Sequence, residues 1–104
     1  MISDPIKVWS ITVLDDRDKD VPAYDRTPMI CTNRAIAEQV VKDNDLDISE
    51  GGSNRWAIIE QTLLNANYPQ STDRQFYEWN SEIGRYEECD IPPQYQRVYS
   101  FGIG

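Results

Sequence analysis

Residues 6–14 place apolar side chains on both sides of an extended chain: Ile6, Val8 and Leu14 on one, Trp9, Ile11 and Val13 on the other. A strand that is apolar on both faces is covered on both, so this segment is predicted to lie centrally in a sheet. The charged run 15–20 turns the chain, and residues 21–31 return as a second strand. Pro22 and Pro28 each remove a ladder donor, which puts that strand at an edge or breaks it. Residues 34–43 carry a helical pattern, with Ile36, Ala37, Val40 and Val41 as one apolar stripe and Glu38, Gln39 and Lys42 facing water. Thr32 or Asn33 supplies the N-cap, and the helix should end at Asn44.

Residues 45–54, with Gly51-Gly52, read as a solvated loop, followed by a strand over 55–64 centred on Trp56-Ala57-Ile58-Ile59. Segments 75–80 and 84–89 form a hairpin about the turn 81–84, and 98–101 offer a last strand. The order strand, strand, helix, strand, hairpin specifies a single α+β domain over residues 1–104. Its expected architecture is a mainly antiparallel four- to six-stranded sheet with one short helix packed on one face. One helix leaves the second face to be covered by Trp9, Tyr77, Trp79 and Tyr86, or by a partner chain.

Composition narrows the chemistry. The 104 residues hold no histidine, 18 Asp+Glu against 10 Lys+Arg, and a formal net charge of -8. Without histidine the commonest general base and the commonest metal ligand are both missing. Strong acidity disfavours direct contact with nucleic acid or an anionic membrane. The N-terminus lacks a basic n-region and no apolar run approaches membrane-spanning length, so the expected location is the cytoplasm. Cys31 and Cys89 are far apart in sequence and are expected as separate, mostly buried thiols.

Three constellations invite chemistry. Asp16, Asp18 and Asp20 alternate like the opening of a calcium loop, as do Asp43, Asp45 and Asp47. In the first the sixth position is Val21 and the twelfth Thr27; in the second they are Ile48 and Asn54. Neither completes the motif. Glu78 with Glu87 or Glu88 makes a paired-carboxylate candidate across the hairpin, but outward-facing strand residues near Arg74 and Arg85 are the favoured reading, since any acidic chain of this size offers such pairs by chance. No G-x-S-x-G and no P-loop occurs. A binding protein without cofactor or metal is therefore expected, not an enzyme.

The acidity falls in three clusters, 15–20, 43–50 and 78–90. Beside aromatic anchors they suit a protein partner with a basic surface, steered first by charge and then held by buried contacts. Candidate contact residues are Asp15, Asp16, Asp18 and Asp20; Asp43, Asp45, Asp47 and Glu50; and Tyr77, Glu78, Trp79 and Tyr86, with Tyr95 and Tyr99 as further exposed aromatics. Solubility alone accounts for the same charge. A homodimer formed through the uncovered sheet face, in a structural or accessory role, is the other open reading.

Lys7-Val8-Trp9, the run from Asn33 through Arg34-Ala35-Ile36-Ala37 to Glu38, and Trp56-Ala57-Ile58-Ile59-Glu60 running to Leu64-Asn65 form a loose pattern. It resembles small uncharacterised proteins encoded by tailed phages and prophages, a pool that includes anti-CRISPR proteins and other inhibitors of host defence. That resemblance implies stoichiometric protein binding and not turnover; the strongest form of the charge reading is an inhibitor of a nucleic-acid-handling host defence complex whose acidity imitates nucleic-acid charge.

Overall fold

A computed structural model describes residues 6–15, 24–64 and 73–97. Five strands form one antiparallel sheet: β1 Ile6–Asp15, β2 Tyr24–Cys31, β3 Trp56–Leu64, β4 Arg74–Asn80 and β5 Arg85–Cys89. Their spatial order is β2-β1-β3-β4-β5. The helix α1, Arg34–Lys42, crosses one face between β2 and β3. The α+β architecture expected from the pattern is the one observed.

β1 lies between β2 and β3, as its two apolar faces require. β2 is an edge, and its pairing with β1 slips between Ile11 and Val13. Two residues, Thr27 and Pro28, stand opposite Thr12 there, a bulge that accommodates the proline's missing donor. Residues 16–23 and 98–101, which include the start of the expected second strand and the whole of the last one, lie outside the described residues.

Asn33 is the N-cap: its side chain accepts a hydrogen bond from the Ala35 amide at 2.7 Å. Ala37, Val40 and Val41 are buried, whereas Ile36 is 50% exposed and drops out of the expected stripe. At 100° per residue Ile36 sits about 90° from the centre of the face made by the other three. Those three pack on Ile11, Val13, Cys31, Ala57 and Ile59. Each Ile or Val so buried stabilises the fold by about 1.5–3 kcal/mol.

The second face is not open. Leu14, Trp56, Ile58 and Phe76 are all 5% exposed or less and pack with Cys89, Ile91 and Tyr95 from the end of β5 onward. Tyr95, expected as exposed, stacks on the Phe76 ring at 6.1 Å and meets the edge of Trp56 at 6.3 Å. The aromatics expected to cover this face are on the other one. Trp9, Tyr77, Trp79 and Tyr86 all belong to the cluster beneath the helix and its following loop. The premise of a homodimer through an uncovered sheet face therefore fails.

Candidate functional site

Sheet register decides which charges meet. Leu14 pairs with Asp25 and Trp56, Trp56 pairs with Glu78, and Asn80 pairs with Arg85. The end of β1, the starts of β2 and β3, and the β4–β5 turn therefore share one end of the sheet. Asp15 closes β1 there. The helix begins at Arg34, near Asp73 and Gln75 at the opposite end, and finishes at Lys42 beside the loop 43–55. Its negative dipole terminus thus points to the end where the carboxylates already lie. The second and third acidic sequence clusters meet at that end together with Asp15 of the first; Asp16, Asp18 and Asp20 lie outside the described residues.

The loop 44–54 is built, not merely solvated. Its backbone enters the left-handed region at Asn44, Leu46, Asp47 and Glu50, with φ between 48° and 55°. Asp47 holds this shape: one carboxylate oxygen, Oδ1, accepts from the Gly51 amide at 3.2 Å, Asn44 Nδ2 at 3.2 Å and Ser49 Oγ at 3.1 Å. Those donors, the Gly51 amide foremost, pull its pKa below the usual carboxylate value. Asn44 Oδ1 accepts from the Ser49 amide, and Asn54 Nδ2 donates to the Ile48 carbonyl at 2.8 Å. Ile48, Ser49 and Asn54 are consequently buried, against the expectation of a water-exposed segment.

This loop sits on the hairpin. A methyl group at Gly52 would lie 2.8 Å from Trp79 Nε1. Tyr86 donates its hydroxyl to the Asn54 carbonyl at 2.7 Å, and Trp79 meets the Tyr86 ring edge-on at 5.1 Å. Burial, with Asp47 and Glu50 nearby, raises the Tyr86 pKa. The second and third acidic clusters are thereby joined around the Trp79–Tyr86 pair.

The expected anchors divide accordingly. Tyr77 and Tyr86 are 1% and 3% exposed and cannot reach a partner: the hairpin's alternation turns both beneath the helix side. Burial is also the main reason that the Tyr77 pKa is pushed up to about 12. Trp79 is half-buried, and Tyr99 lies outside the described residues. Instead, Leu46 stands 93% exposed between Asp45 and Asp47, and Ile83 is 52% exposed at the hairpin turn. Sequence reasoning missed Leu46 because nothing in its residue type marks a left-handed loop tip.

The carboxylates differ in freedom. Glu50 pairs with Arg26 at 3.1 Å, and Glu78 with Arg55 at 2.9 Å, where Arg55 also lies 4.5 Å over the Trp56 ring. Glu87, directly opposite Glu78, accepts from Asn80 Nδ2 at 2.6 Å. Asp43, Asp45, Glu82 and Glu88 are exposed. A shallow depression of about 500 Å³ runs over Glu78, Asn80, Glu82, Glu87 and Cys89. Burial, then Glu78, Asp90 and Glu88, pushes the Cys89 thiol up to about 11. Both cysteines are free, Cys31 on one edge strand and Cys89 on the other.

Among the described residues no group of three or more Cys, Asp or Glu side chains is placed to hold a metal ion. No described helix is long and apolar enough to cross a membrane. No family model, curated protein or solved structure matches the chain.

Proposed function

We propose that this protein is an acidic binding module that docks its carboxylate-rich sheet end onto a basic surface of a partner protein. The observation that carries the reading is the convergence of separate acidic clusters on one end, around a loop whose shape is fixed by Asp47. A one-sided charge distribution speeds encounter with an oppositely charged partner by roughly 10- to 10³-fold at low salt. Leu46 and Ile83, apolar and exposed among the carboxylates, supply the buried contact that charge alone does not.

The specific form is an inhibitor acting in the cytoplasm, which blocks a nucleic-acid-handling complex, such as a host defence complex, by imitating phosphate charge. Such a surface competes with nucleic acid for the same Lys and Arg side chains without contacting nucleic acid itself.

The test is affinity capture from the native host with immobilised wild-type protein and with a charge-reversed variant, Asp45→Lys, Glu82→Lys, Glu87→Lys and Glu88→Lys. The expected result is a basic protein retained by the wild type, released by salt, displaced by added nucleic acid, and absent from the variant. Equal retention by a folded variant overturns the reading. Retention that salt weakens and nucleic acid leaves intact keeps the docking surface and removes the imitation.

A further inference from the structure

The second sheet face has two halves. Leu14, Trp56, Ile58 and Phe76 make the apolar half. Beyond it the same face carries Ser10, Thr12, Glu60 and Thr62, with exposures of 0%, 0%, 0% and 1%. Thr12 solves its burial through Thr27, the two hydroxyl oxygens lying 3.2 Å apart. Ser10 Oγ and Thr62 Oγ1 are buried with no hydrogen-bond partner. Left dry, each such group would cost about 1–3 kcal/mol.

Register places both hydroxyls beside one carboxylate, Ser10 across the strands and Thr62 along its own strand. Ser10 pairs with Glu60, and Thr62 follows Glu60 by two residues on the same face. Diagonal neighbours of this kind have Cα atoms about 7–8 Å apart, and their side chains somewhat less. No direct bond joins the two hydroxyls, and their side chains, closer together than the Cα atoms, come to the ~5–6 Å that one water molecule spans between its partners.

We infer that this seam is a binding site for ordered water, in which a water molecule bridges Ser10 Oγ and Thr62 Oγ1 and donates to the Glu60 carboxylate. Three polar partners are what a buried water typically holds. The site explains why hydroxyls occupy inward positions of a face whose other half is wholly apolar. Its existence does not depend on the partner-docking reading.

The test is ¹⁷O magnetic relaxation dispersion on the full chain, comparing wild type with Ser10→Ala, Thr62→Val and the double variant. The wild type is expected to show a dispersion amplitude larger by at least one long-lived water than the double variant. Each single variant should already lose part of it, so the singles decide the matter if the double fails to fold. An amplitude unchanged in every folded variant overturns the site. The hydroxyls would then be dry, and their removal would raise the urea midpoint.

Discussion

Gly52 offers a sharp probe of the loop because its neighbour is a built-in control. Gly51 and Gly52 both have positive φ, +70° and +88°, so alanine at either position incurs backbone strain. At Gly51 a methyl group would meet nothing within 4 Å; at Gly52 it would lie 2.8 Å from Trp79 Nε1 and 3.3 Å from Cδ1. Gly51→Ala should therefore cost the left-handed strain alone, about 1–2 kcal/mol. Gly52→Ala adds an overpacking cost of about 1–3 kcal/mol, because the indole is held against Tyr86 and cannot simply withdraw. With roughly 4–8 °C per kcal/mol for a domain of this size, Gly51→Ala should lower Tm by about 4–16 °C. Gly52→Ala should lower it by several degrees more and change the near-UV circular dichroism of Trp79. Thermal melts of the two variants side by side provide the assay. Equal melting temperatures, with an unaltered near-UV spectrum for Gly52→Ala, would refute the seating of the loop on Trp79.

Other consequences are independent of that contact. Tyr86→Phe removes the hydrogen bond to the Asn54 carbonyl and should cost about 1–3 kcal/mol in urea unfolding, since that acceptor is left buried. Asp47 has a lowered folded pKa, so its contribution to stability is present above the ordinary carboxylate value and lost as pH falls through the lowered one. Asp47→Ala should therefore destabilise at pH 7, with the pH-dependent part of the difference from wild type shrinking in melts as the pH falls through the lowered value. Cys89, with its thiol near pKa 11, should alkylate on the order of 10²-fold more slowly than a free cysteine at pH 8 in a Cys31→Ser background. Its rate should keep rising tenfold per pH unit past pH 9; a plateau there would contradict the shift.

How much of this was legible in sequence follows from where periodicity carries information. β1, β3, the hairpin and the edge position of β2 were readable because alternation and proline act locally. Burial of Tyr77 and Tyr86 was not, because the hairpin is apolar on both faces at Phe76 and Tyr77, and alternation alone does not say which face the helix covers. The register Trp79–Tyr86 was implicit in the turn 81–84, however, and it does place those two side by side. The loop's buried positions are hidden from its composition because polar residues there bond to the backbone and to one another. Asn44, Asp47, Ser49 and Asn54 all do so. The acidic clusters were visible as runs; the meeting of the second and third with Asp15 at one end depended on strand order, which composition does not encode.

That meeting is the central claim, and nuclear magnetic resonance titration with a short arginine-rich peptide tests it most directly. The account predicts amide shift changes concentrated in residues 43–50 and 78–88, diminishing as salt rises from about 20 to 200 mM. Changes spread evenly over the surface, or centred on the Arg34–Asp73 end of the sheet, would contradict it.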